Sequence, residues 1–212
     1  MNNNEALKFF ENMSEHAKDD KNCVKLAHNT DFTDIDASYI LKYADKDTDI
    51  LDIGTGTGLI VNKIFDKVKS IECLEPFSEF TKHIIKNKNI TIVNDNIFSY
   101  KTNKKFDIVT IFGSMHYFNK DEAEKIYSLV FSLLNNNGLL IIKNQFGVKE
   151  DVVVSGYSEE QKTNYFASYR HIDKETLLLE NIGYKNLKVV DIYPPEANRW
   201  DNTHFYAIVA EK

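Results

Sequence analysis

The segment Ile50-Leu-Asp-Ile-Gly-Thr-Gly-Thr-Gly58 constrains this chain more than any other. An apolar run ends on three alternating glycines and passes into a helical pattern starting near Leu59. Glycines at such a junction let the backbone turn sharply and let a ligand approach main-chain atoms with no Cβ in the way. Packing alone is a poor reason for three of them directly after a buried strand.

Around that loop the pattern alternates. Asp49–Ile53, Ser70–Glu75, Ile90–Val93, Phe106–Phe112 and Gly138–Ile142 read as strands. The continuous apolar character of Phe106–Phe112 fits a sheet centre covered on both faces. Between the strands, Phe77–Lys86 behind Pro76 and Asp121–Leu134 have helical spacing. Strand–helix alternation implies right-handed crossovers and a parallel sheet, an α/β fold. Asn135-Asn-Asn-Gly138 reads as the turn from helix to strand, with Gly138 expected at a positive φ.

Two regions break the rhythm. Residues 1–48 read as a helical cap on the same domain, which then occupies 49–212. Phe9, Phe10, Phe32 and Tyr39 are expected on the inner face of the cap, and Asp31–Asp36 leads into a helix over Ala37–Tyr43. After residue 146 come a polar stretch, a helix over 173–182, and two strands, Leu187–Tyr193 and His204–Ala210. Their short connection has no room for a helical crossover, so they should pair antiparallel.

Composition removes whole classes of function. Among 212 residues, 42% are apolar, enough for a core, and no apolar run reaches the roughly 18 residues of a membrane helix. The first residues lack the basic flank and apolar stretch of a signal peptide. Cys23 and Cys73 are too few for a disulfide scaffold, so a cytoplasmic, reduced protein is expected. The net charge is −6, and eleven acids against six bases lie in residues 1–49. Nothing resembles the basic stripe that nucleic-acid binding requires, and neither nucleic acid nor membrane is an expected partner. The bases are 24 Lys and two Arg, beside 22 Asn, a bias that leaves the asparagines with little meaning.

Three acids sharpen the glycine loop. Asp52 stands two residues before Gly54, where a dinucleotide would place its pyrophosphate; a carboxylate there repels a diphosphate and suits an ammonium or sulfonium. Glu75 ends the second strand, at an offset from the loop suited to accepting hydrogen bonds from both hydroxyls of a ribose. Asp95-Asn96 ends the third, where an amide or carboxylate can meet an adenine amino group.

With the strand ending in Gly113-Ser-Met-His116, these features resemble the class I S-adenosylmethionine-dependent methyltransferases. The resemblance covers residues 35–146 by motif and 173–212 by topology. It implies a Rossmann-like, seven-stranded, mostly parallel sheet with the last strand antiparallel and helices on both faces. It implies S-adenosylmethionine as cofactor, its methionine portion held by Asp52, Gly54, Thr55, Gly56 and Gly58, and its ribose by Glu75. Pro76 and Phe77 would lie along the adenine edge, with Asp95, Asn96 and Ile97 bordering the base. Phe112 to Met115, Ser114 included, would pass under the methionine moiety. The segments 147–172 and 194–203 would overhang the acceptor.

Methyl transfer from a sulfonium is an in-line displacement, which needs a base only when the acceptor must lose a proton. His116 is the candidate base, at the sheet edge where such folds place ligands; the competing reading is a histidine that merely orients its loop. Candidate acceptor contacts are Tyr169, Arg170 and His171, then Arg199, Trp200 and His204. Arginines in a lysine-biased chain suggest planar bidentate contacts, as to phosphate, and Trp200 could stack on a ring. An ion pair and a hairpin tip are the plainer alternatives, and Asp173 reads as a helix cap. His28 could join a lid; His16 is unremarkable and His83 reads as surface. No metal is expected, because the strand ends Gly113-Ser114 and Asn144-Gln145 lack the carboxylates of metal-dependent members.

The expected activity is methylation of a small polar acceptor: a hydroxyl of a sugar, a nucleotide-linked sugar or a phosphorylated metabolite, as in the making of a surface polysaccharide. An amino sugar or small amine is the alternative acceptor. A non-catalytic donor-binding protein and a nicotinamide-dependent reductase are the readings from other classes. The last predicts a Gly-x-Gly-x-x-Gly loop and no acid at 52, the opposite of this sequence on both counts. The oligomeric state is open.

Overall fold

The computed structural model describes residues 3–15, 31–158, 163–198 and 200–212. His16, Cys23, His28 and Arg199 lie outside the described residues. β1 (Asp49–Ile53), β2 (Ser70–Leu74), β3 (Ile90–Val93), β4 (Phe106–Phe112) and β5 (Leu134–Gly147) are parallel, and β9 (Thr203–Glu211) and β8 (Lys185–Asp191) complete a sheet ordered β3-β2-β1-β4-β5-β9-β8. β9 runs antiparallel between β5 and β8. Its connection from β8 holds only a 3₁₀ turn, Pro195–Ala197, too short to carry the chain across a face.

Alternate residues of the central strands feed opposite faces, as the period of two dictates. Leu51, Val109, Ile111, Leu140 and Ile142 pack under α5 (Lys120–Leu133) and α6 (Ile172–Ile182). Ile50, Ile108 and Ile141 pack under α2 (Thr33–Ile40) and α3 (Val61–Ile64). α5 starts on a capping box: Asn119 Oδ1 accepts from the Glu122 amide, and Glu122 Oε2 accepts from the Asn119 amide.

Four local expectations need correction. The positive φ is at Asn137 (61°), inside β5, which already begins at residue 134. Gly138 is needed for space instead, since a Cβ there would lie 2.9 Å from the Asn135 carbonyl oxygen. The helix expected to reach Lys86 is a single turn, α4 (Ser78–Thr81). Asn62 explains the stop: its side-chain amide donates to the His83 carbonyl (3.0 Å) and accepts from the Ile85 amide (2.8 Å), taking the backbone groups that further turns would use. Tyr39 is buried against the sheet, whereas Phe9, Phe10 and Phe32 do turn inward. The polar stretch after residue 146 contains an antiparallel hairpin, β6 (Val152–Ser158) and β7 (Thr163–Tyr169). Its inward residues Ala167 and Tyr169 cluster with Phe9 of α1 (Asn3–Glu15), so hairpin and cap support each other.

Candidate active site

A cavity of about 350 Å³ opens at the carboxyl ends of β1, β4 and β5, where β1 and β4 diverge into crossovers on opposite sides. Its floor is the glycine loop and its roof is α1 and α2. Gly54, Gly56 and Gly58 have φ of 73°, 57° and 79°, a region that costs any residue with a Cβ. A Cβ on Gly58 would also lie 2.7 Å from Ile84 Cγ1, while one on Gly56 would meet open space.

Both acids of the loop are buried, with different partners. Asp52 accepts from Thr110 Oγ1 (2.5 Å), and the Thr55 hydroxyl donates to the Asp52 carbonyl (2.9 Å). Burial holds the Asp52 carboxyl above the usual carboxylate range against those hydrogen bonds. Glu75 accepts from the Gly56 amide (2.9 Å) and the Phe77 amide (3.2 Å), so one side chain clips the glycine loop to the end of β2. Burial pushes its pKa up to about 7, opposed by those two amides.

Past β4 the chain forms a 3₁₀ turn, Met115–Tyr117, that presents His116 to the cavity. Asn144 on β5 orients the ring. Its amide donates to the Gln145 carbonyl (3.0 Å), which leaves Oδ1 as acceptor for His116 Nδ1 at 2.9 Å. The neutral imidazole therefore carries its proton on Nδ1 and its lone pair on Nε2. Beside it, Ser114 Oγ is buried at the cavity wall with no hydrogen-bond partner among the described residues.

Asp52, Gly54, Thr55, Gly56, Glu75, Pro76, Phe77, Phe112, Ser114, His116 and Tyr169 all line the cavity. Gly58 stands behind the wall, setting the loop against Ile84. The wall does not include Asp95, Asn96 or Ile97: Asp95 Oδ1 caps its own turn by accepting from the Asn96 amide (2.7 Å) and Ser99, and Ile97 belongs to the core.

On the acceptor side the sequence expectations mostly fail. Arg170 is buried and grips Glu175, at 2.5 Å through Nε and 2.8 Å through Nη2. His171 starts α6 and donates through Nε2 to the Val148 carbonyl at 2.8 Å. His204 ties Asp191 (2.7 Å) to Asn198 (2.8 Å). Trp200 lies behind the wall, its indole donating to the Tyr169 hydroxyl at 3.1 Å. Each of these side chains satisfies a local polar group that sequence spacing could not reveal. The wall contains other residues instead: Asp36, Lys143, Asn144, Tyr193 and Phe205. Their signal was position alone, since Lys143 and Asn144 lie on β5 level with the end of β4, at the ligand edge of the sheet.

A family model described as a methyltransferase domain matches residues 50–138. An uncharacterized methyltransferase of Staphylococcus carnosus (strain TM300) is 24% identical over 152 residues, covering 66% of this chain and 72% of that protein. Among solved structures, the complex of DhpI with SAM and HEP superposes with a TM-score of 0.73 at 13% identity, covering 98% of this chain and 96% of that one. The glycopeptide N-methyltransferase MtfA complexed with S-adenosyl-L-homocysteine gives 0.65 at 12% identity, covering 86% and 90%. At such identities the structural likeness speaks for the fold, and the domain match and the curated relative for the chemistry. Strand order, glycine cradle, buried acids and matched domain thus agree: the chain is an S-adenosylmethionine-dependent methyltransferase with a Rossmann-like fold.

Proposed function

We propose that this methyltransferase modifies a hydroxyl of a small polar acceptor with one apolar face, such as a sugar ring, and that His116 takes the hydroxyl proton. The observation that carries this reading is the Asn144–His116 hydrogen bond, which turns the basic nitrogen of a cavity-lining imidazole away from β5. The bound donor supplies a methyl on a sulfonium, and what the chain supplies is orientation and a proton acceptor. The walls suit the donor: Glu75 receives the ribose diol, Asp52 and Gly54 to Gly58 the methionine portion, Ser114 Oγ gains its missing partner, and Pro76 and Phe77 border the adenine.

Phe9, Phe10, Tyr117, Tyr169, Tyr193 and Phe205 give the acceptor side flat apolar surfaces, against which a sugar or another ring can lie. A phosphate on the acceptor finds less support. Arg170 is engaged elsewhere, and Lys143 on the wall is already paired with Asp36 at 3.0 Å.

The test offers S-adenosylmethionine with a methyl hexoside, a nucleotide sugar, a phenol and a primary amine, and follows release of S-adenosylhomocysteine. Transfer to a hydroxyl acceptor is expected. His116→Ala should lower turnover by about 10²–10⁴-fold with S-adenosylhomocysteine binding unchanged. A loss below tenfold removes the base, and methylation of the amine alone overturns the choice of oxygen.

A further inference from the structure

Arg170 has an unusual set of partners for a residue at the end of a hairpin. Its Nε and Nη2 form a two-pronged pair with Glu175 on α6 (2.5 and 2.8 Å), while Nη1 donates to the carbonyls of Met115 (3.2 Å) and Phe118 (2.6 Å). Those two carbonyls bracket His116 and Tyr117. Glu175 is fully buried and accepts in addition from the Tyr127 hydroxyl of α5, and the Tyr127 carbonyl accepts from Tyr184 (3.0 Å). Elements from three parts of the chain thus converge, through one guanidinium, on one short turn. A planar fork with five donors can hold a carboxylate and two carbonyls at once, and a lysine in its place cannot.

We propose that Arg170 is a positioning residue for methyl transfer: braced by Glu175 and Tyr127, it holds the turn whose backbone fixes His116, while Asn144 fixes the ring. The proposal rests on the reading of His116 as the base and gives that base a support from outside the cavity. A backbone shift of about 1 Å at such a site costs on the order of 10² in rate. The same shift would lengthen the Nδ1–Oδ1 contact and free the ring to exchange its proton between nitrogens.

The test reads the ring directly and needs no acceptor. Protein carrying ¹⁵N-histidine is loaded with S-adenosylhomocysteine, and the His116 signals are identified by their loss in His116→Ala. Wild type should show a single tautomer with the proton on Nδ1. Arg170→Lys and Glu175→Gln should each shift the His116 nitrogens toward the average of two tautomers, with affinity for S-adenosylhomocysteine within about threefold of wild type. His204, whose ring is bonded to Asp191 and Asn198, serves as the internal control. An unmoved His116 in both variants overturns the positioning role, and so does loss of S-adenosylhomocysteine binding in both, since the network would then serve the fold alone. If instead His116→Ala keeps full activity while the nitrogens shift as expected, the base assignment fails and the bracing of the turn stands.

Discussion

Glu75 shows how much one side chain can couple. Its carboxyl clips the Gly56 and Phe77 amides in a buried setting, with its pKa pushed up to about 7 from 4.5. A raised acid in the fold holds a proton that the unfolded chain has lost, so this group's contribution to stability declines as pH rises from about 4.5 to about 7. A ribose diol donating to both oxygens favours the carboxylate and reverses that preference. Affinity for S-adenosylhomocysteine should therefore climb by up to about tenfold per pH unit from pH 5 to 7 and level off above, as titration calorimetry across that range would show. Glu75→Gln should flatten the dependence and weaken binding throughout. Glycine substitutions make a second residue-scale test. Gly58→Ala combines a left-handed φ with a 2.7 Å approach to Ile84, against strain alone at Gly56. Denaturant melts should place Gly58→Ala about 1–3 kcal/mol below wild type, and below Gly56→Ala.

At the scale of elements, the cap is tied to the sheet by few but buried contacts. Asp36 of α2 accepts from the Tyr193 hydroxyl (2.6 Å) and pairs with Lys143 of β5, whose ammonium lies near the faces of Phe112, Tyr193 and Phe205. Phe32 stacks on Tyr193 with ring centroids 4.6 Å apart. Removing one partner of a buried pair leaves the other uncompensated, so Asp36→Ala should cost about 3 kcal/mol in urea unfolding. Because α2 roofs the cavity, S-adenosylhomocysteine should also bind more weakly. The sequence located β1, β3 and β4 to the residue, since each is a short apolar run closed by turn residues. It missed β6 and β7, which pack against α1 and the Met115–Tyr117 turn, because half-exposed strands carry a weak pattern.

At the scale of the molecule, the glycine floor of the cleft was legible and most of its remaining wall was not. Asp52, the glycines and Glu75 are placed by the ends of neighbouring parallel strands, so their spacing along the chain fixes their spacing in the fold. Arg170, His171, Trp200 and His204 come from segments whose paths depend on tertiary partners such as Glu175 and Asp191, which no local pattern announces. A ligand spanning the glycine floor and the helical roof should stabilise the whole domain. With S-adenosylhomocysteine at 100 times its dissociation constant, the gain is about 2.7 kcal/mol, readable as a rise in melting temperature that NAD does not reproduce.

The roof is also linked to His116. Phe10 of α1 meets Tyr117 edge to face at 4.9 Å, and Tyr117 lies 4.0 Å from the His116 ring. A displacement of α1 would strip a neighbour from the very turn that presents the imidazole. Ring contacts thus run without a break from the helix over the cleft to the histidine at its wall.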